Sequence, residues 1–225
     1  MSTMLEPPIE IETALNPTMS VIWMHGLGAD GSDFPPIIPE LNLPREAAIR
    51  FIFPHAPMRP VTCNNGYVMR AWFDILSMAS DRRAVDQETV LAAVDSVRSL
   101  IRRENERGIP SERIVLAGFS QGGVMAYTTG LTHHERLAGM LVLSGYIPTP
   151  QWVTENATAA NRHTPIFAAH GTQDDVLQIG LGEAARDLAK TLNDALEWHS
   201  WPMPHTLCLE EVQLVGAWLS ERWRN

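Results

Sequence analysis

The chain has 225 residues, 45% of them hydrophobic and 19% charged, enough length and apolar content to bury one substantial core. Its net charge of -9 argues against a nucleic-acid binder or a protein held on anionic membranes, both of which need a positive surface field. Cys63 and Cys208 stand far apart without metal-ligand spacing, so they indicate neither a disulfide framework nor a zinc site.

The segment Met1 to Pro8 carries Glu6 and two prolines where a secretory leader would have a basic end and an apolar stretch. No run reaches the roughly 18 apolar residues of a membrane helix. The cytoplasm is therefore the default location, without stable membrane insertion.

Short apolar runs recur at Met19 to Met24, Ile49 to Phe53, Arg113 to Ala117, Ala138 to Leu143, Pro165 to Ala169 and Leu196 to Trp201. They do not alternate strictly, which predicts strands buried on both faces, as in a parallel sheet covered by helices. Ile9 to Thr13 is a candidate edge strand. Between these runs, Val90, Val94, Val97 and Ile101 form a helical stripe that Gly108 and Pro110 should end. Leu181, Ala185, Leu188 and Leu192 form another, and Val212, Val215 and Leu219 a third. Strands and helices in alternation predict a doubly wound α/β sheet, and no linker divides residues 1 to 225 into more than one domain. Pro54 to Gly66 and Ser144 to Arg162 read as loops over the carboxyl end of the sheet, where open α/β sheets bind ligands.

Gly118-Phe119-Ser120-Gln121-Gly122 follows the apolar run Ile114 to Ala117 and precedes a helix expected over Gln121 to Leu131. In that context a G-x-S-x-G string is the strained strand-to-helix turn that projects a serine nucleophile, and its glycines allow close strand-helix packing. Without downstream partners, Ser120 would read better as a helix cap. Ser144 also ends a strand, but Val142 and Tyr146 stand where such a turn needs small residues, so it reads as a loop residue near the site.

A serine hydroxyl needs a histidine base, and the base a carboxylate, in the order Ser, acid, His. The late strand Pro165 to Ala169 runs into His170-Gly171-Thr172-Gln173-Asp174-Asp175, so Asp174 and Asp175 are the candidate acids. His170 precedes them and reads as a hydrogen-bonding turn residue. Of the histidines that follow, His199 lies within a strand-like run and His205 in a loop, where the base belongs. His133 and His134 are expected in a solvated loop.

His25-Gly26-Leu27-Gly28-Ala29-Asp30-Gly31 contains a literal G-x-G-x-x-G, but the second strand ends at Phe53-Pro54-His55 with no acid for a ribose, which excludes the dinucleotide reading. The loop fits an oxyanion hole instead, with backbone donors at Leu27 and Gln121. Trp72, Trp201, Ile147 and Met203, in or beside the site loops, are candidates for an apolar acyl pocket.

With His25-Gly26-Leu27-Gly28, Gly118 to Gly123, His170-Gly171 with Asp174, and His205 in order, the chain resembles the phospholipase/carboxylesterase family. Trp72-Phe73-Asp74 and the Arg59 to Thr62 loop also look like family segments. The resemblance implies a single-domain α/β-hydrolase that needs no cofactor or metal and cleaves small-molecule esters or thioesters. It assigns Ser120 as nucleophile, Asp174 rather than Asp175 as acid, His205 as base, and Leu27 and Gln121 as oxyanion donors. Two departures stand out: Asp175 replaces a proline common in thioesterase-like members, and Pro204 replaces a common glycine. Short- to medium-chain ester hydrolysis is the expected activity. The alternatives are a thioesterase or lysophospholipase for long acyl chains, with Pro54 to Gly66 and Tyr67 to Ser80 supplying a groove, and a non-catalytic binding protein of the same fold. A homodimer is left open.

Overall fold

The computed structural model describes residues 6–78 and 83–224. Residues 1–5 of the start and residues 79 and 80 of the Tyr67 to Ser80 segment lie outside the described residues.

In chain order the strands and α-helices of the described residues, short 3-10 turns aside, are β1 (Ile9–Glu12), β2 (Met19–Met24), β3 (Ile49–Phe53), β4 (Met58–Val61), β5 (Tyr67–Arg70), β6 (Ile75–Met78), β7 (Arg83–Val85), α1 (Gln87–Glu106), β8 (Ile114–Phe119), α2 (Gln121–Leu131), β9 (Gly139–Leu143), α3 (Pro150–Asn156), β10 (Ile166–Gly171), α4 (Ile179–Leu192), β11 (Leu196–Trp201) and α5 (Leu209–Arg224). Seven strands form one sheet in the order β1-β3-β2-β8-β9-β10-β11. All neighbours are parallel except β1, which pairs antiparallel with β3 through Ile9 opposite Phe53.

Four of the non-alternating strands are buried on both sides, as their composition predicts: β2, β3, β9 and β10 show no exposed residue. Strand β11 departs from that expectation because it is the edge strand, with Glu197 and Ser200 exposed. Two apolar clusters result. One joins Ile22, Leu116 and Val142 to the stripe of α1 (Val90, Val94, Val97, Ile101) and to α2 and α4. The other joins Val21, Val115 and Leu141 to Val212, Val215, Trp218 and Leu219 of α5. The consecutive residues of each strand therefore serve opposite helix layers.

The helix boundaries follow local chemistry. The Asp86 side chain accepts from Glu88 N–H at 3.0 Å to cap α1. Gly108, at φ 93°, ends that helix in the left-handed region. Pro54 to Gly66 is not all loop: β4 pairs with β5 as a hairpin off the main sheet. Pro60 and the four-residue strands leave too short an alternation for a sequence signal. Likewise α3 hides within Ser144 to Arg162, only seven residues long and begun by Pro150. His133 departs from the expected solvated loop. It is buried, its carbonyl holds Asn161 Nδ2 at 2.9 Å, and burial lowers its ring to about 4, while His134 stays exposed.

One buried charge ties the first strands to α1. Glu104 is fully buried, accepting from Ser20 Oγ at 2.6 Å, Arg50 Nη1 at 2.8 Å and Arg107 Nη1 at 2.8 Å. Burial pushes its carboxyl up, but Ser20, Arg50 and Arg107 outweigh that and hold it below the ordinary range. Glu104→Leu, which leaves the buried Arg50 without this partner, should lower unfolding free energy by about 3 kcal/mol in denaturant titrations. Because the folded value is depressed, this contribution is complete above the unfolded carboxyl range of about 4.3 and is lost as pH falls through the folded value.

Candidate active site

Ser120 sits between β8 and α2 with φ 56° and ψ −117°, a conformation that costs a non-glycine residue about 1–3 kcal/mol. Close packing on either side enforces it. A Cβ at Gly118 would lie 2.1 Å from the Gly122 backbone, and one at Gly122 would lie 2.0 Å from the Met24 carbonyl oxygen. Both glycines are therefore steric requirements of this β8-α2 junction. Val124 N–H returns to the Ser120 carbonyl at 3.1 Å, so the helix begins at Ser120 itself.

Strand β10 ends in the loop that holds Asp174. Of the adjacent pair, Asp174 is buried and Asp175 exposed. Asp174 Oδ1 accepts from Val176 N–H at 3.0 Å and Leu177 N–H at 2.7 Å, and Oδ2 accepts from His205 Nδ1 at 2.6 Å. Burial pushes its carboxyl up, but the His205 hydrogen bond and the Leu177 N–H together hold it below the ordinary value. On its other side, His205 Nε2 lies 3.0 Å from Ser120 Oγ. Neutral His205 carrying its proton on Nδ1 satisfies both contacts, donating to Asp174 and accepting the Ser120 hydroxyl proton.

The His205 loop keeps this position despite Pro204. The carbonyl oxygens of Met203 and Pro204 would lie 2.3 and 2.7 Å from a Cβ on Gly171, so the loop rests directly on the end of β10. Phe119 supports the imidazole with ring centroids 4.7 Å apart. His170 donates Nε2–H to the Leu177 carbonyl at 2.7 Å, as a turn residue, and His199 stacks on Phe167 at 4.6 Å within β11. Ser144, at φ 48°, is buried at the end of β9.

A cavity of about 240 Å³ opens beside Ser120 and His205. Leu27 and Gln121 both line it. As the first residue of α2, Gln121 has an N–H without an intrahelical acceptor. The apolar wall comes from Ile75, Met78, Tyr146, Val176 and Leu177.

None of the four residues expected to form that wall lines it. Trp72 is fully buried, with its indole N–H donated to the His25 carbonyl at 2.9 Å. Trp201 packs with the α5 cluster and Ile147 with the opposite one. Met203 is buried, and its carbonyl accepts from Gln173 N–H at 3.1 Å. Large apolar side chains near the sheet's carboxyl end gain more by joining the core than by facing water. The residues that took their place belong to β6, to the segment after Asp174 and to the turn after β9, where only the final chain path brings them together.

An open, mostly parallel sheet with helices on both faces and a serine on its strand-to-helix turn defines an α/β-hydrolase. The model of the family described as Phospholipase/Carboxylesterase matches residues 9–222, and the chain belongs to that family. Acyl-protein thioesterase 1 of Yarrowia lipolytica is 35% identical over 221 residues, which cover 96% of each chain. Carboxylesterase SOBER1 of Arabidopsis thaliana is 32% identical over 207 residues, covering 91% of each. The crystal structure of Arabidopsis SOBER1 matches at a TM-score of 0.84 and 32% identity, over 91% of this chain and 98% of that one.

Two outcomes are expected. Gly122→Ala should destabilise the protein by about 1–3 kcal/mol, read as a lower thermal midpoint. Burial lowers His25 to about 4, so its ring should stay neutral in NMR titrations from about pH 8 to 5. With the folded value below the ordinary 6.5, the stability linked to neutral His25 is complete above about pH 6.5 and lost as pH falls through about 4.

Proposed function

We propose that this protein is a serine carboxylesterase that cleaves short- to medium-chain carboxylic esters through an acyl-enzyme on Ser120, working as one catalytic domain. The observation that carries the reading is the continuous contact from Asp174 through His205, at 2.6 Å, to Ser120 Oγ, at 3.0 Å. In this reading Ser120 Oγ attacks the substrate carbonyl carbon while His205 Nε2 takes the hydroxyl proton. Asp174 holds the imidazole in the required tautomer and stabilises its charged form. The N–H groups of Leu27 and Gln121 stabilise the oxyanion, about 3 kcal/mol for each donor. Collapse expels the alcohol or thiol, which leaves with the proton from Nε2. Water then repeats the sequence on the acyl-enzyme and releases the carboxylate.

The mostly apolar wall beside Ser120 supports an acyl chain as ligand. Hydrolysis of long-chain thioesters is the second reading, favoured by similarity to proteins named acyl-protein thioesterase 1. The free thiols Cys63 and Cys208 suit a reducing cytoplasm, and among the described residues no helix is long and apolar enough to cross a membrane.

Purified protein should hydrolyse p-nitrophenyl butyrate faster than the palmitate ester or a palmitoyl thioester, and a fluorophosphonate should label it. Ser120→Ala should abolish both, and Asp174→Asn should lower kcat by about 10⁴. Retained turnover in Ser120→Ala would refute the mechanism, and a palmitoyl-thioester optimum would replace the substrate class.

A further inference from the structure

The N–H of Leu27 belongs to the same planar peptide as the Gly26 carbonyl. That carbonyl is held by His25 Nδ1 at 2.7 Å and by Ala29 N–H at 3.3 Å. Ala56 N–H donates to His25 Nε2 at 3.0 Å, which leaves Nδ1 as the protonated nitrogen and makes the ring a donor to Gly26. A trans peptide directs its N–H opposite its C=O, so anchoring the Gly26 oxygen aims the Leu27 N–H. The following peptide is fixed too, by Gly28 N–H on the Arg70 carbonyl at 2.9 Å.

The second donor has a matching anchor. The Gln121 side chain is 2% exposed, although Gln121 lines the cavity. Its Oε1 accepts from Trp72 N–H at 3.0 Å, and its Nε2 donates to the Phe73 carbonyl at 2.9 Å. These partners also determine which end of the amide is oxygen. Trp72 completes the connection by donating its indole N–H to the His25 carbonyl.

We propose that His25, Trp72 and the side chain of Gln121 form a buried clamp that sets the separation and direction of the Leu27 and Gln121 N–H groups. They are positioning residues, and the inference rests on the oxyanion reading above. The hydrogen bonds run in series between the residues that flank or carry the two donors, across three separate chain segments. Oxyanion stabilisation tolerates displacements of only about half an ångström, so a loosened clamp should weaken transition-state binding while leaving ground-state binding alone.

The experiment compares Trp72→Phe, which removes the indole N–H and retains an aromatic ring, and Gln121→Leu with wild type. Steady-state kinetics on p-nitrophenyl butyrate would be joined by inhibition with a trifluoromethyl ketone, whose adduct with the serine carries the oxyanion. Fluorophosphonate titration and near-UV circular dichroism fix the folded, active fraction. Per folded site, kcat should fall roughly tenfold in Trp72→Phe and roughly a hundredfold in Gln121→Leu, with KM nearly unchanged and ketone affinity reduced in proportion. Adding His25→Asn to Trp72→Phe should cost less than the product of the separate losses, because the two act in one series. Should Gln121→Leu fail to fold, Trp72→Phe decides alone. Folded variants that keep wild-type kcat, or lose activity through KM with undiminished ketone affinity, overturn the clamp. Wild-type protein that hydrolyses no ester or thioester overturns the functional reading itself.

Discussion

Ser120 can project its hydroxyl only while its backbone stays at φ 56° and ψ −117°, and that conformation persists because β8, α2 and the end of β2 approach more closely than side chains allow. Gly122 rests against the Met24 carbonyl, and Met24 leads directly into His25 and Gly26. The approach that strains the serine thus also brings the first loop beside it, so Leu27 and Gln121 line one cavity. Strain of about 1–3 kcal/mol is sustained by the surrounding apolar packing.

Burial has a second consequence at the site. Asp174, His25 and Gln121 are all removed from water, yet each finds polar partners. Asp174 remains a carboxylate because Val176, Leu177 and His205 supply its hydrogen bonds. His25 remains neutral because burial penalises its charged form more than the hydrogen bond to the Gly26 carbonyl favours it, and Nε2 is occupied as an acceptor from Ala56 N–H. Burial raises the charged-state energy in both cases, and the available partners decide the outcome.

The pocket wall obeyed a different rule from the polar site. The polar groups occupy positions tied to motif and chain order, whereas an apolar side chain near the site can equally well enter the core. Trp72 illustrates this: it stands close to the site, but its ring is buried and its N–H is directed to His25. Met78 and Val176, which do face the cavity, carry no distinguishing pattern in the chain.

The sequence by itself determined the α/β alternation, the α2 boundaries and the glycine-bounded turn at Ser120, because burial on both faces demands short strands that are apolar throughout and the turn demands glycine at defined positions. Chain order also narrowed the partners of Ser120 to a few residues. Spacing left Asp174 and Asp175 equivalent, and only the family resemblance separated them before the structure turned Asp174 inward and left Asp175 exposed. The burial of His133, the cavity wall and the Trp72 connection were decided by tertiary structure alone. Each depends on which distant segment lies alongside, information that local periodicity does not contain. The small hairpin β4-β5 and helix α3 escaped for a related reason: with four to seven residues each, they are held by their neighbours more than by their own pattern.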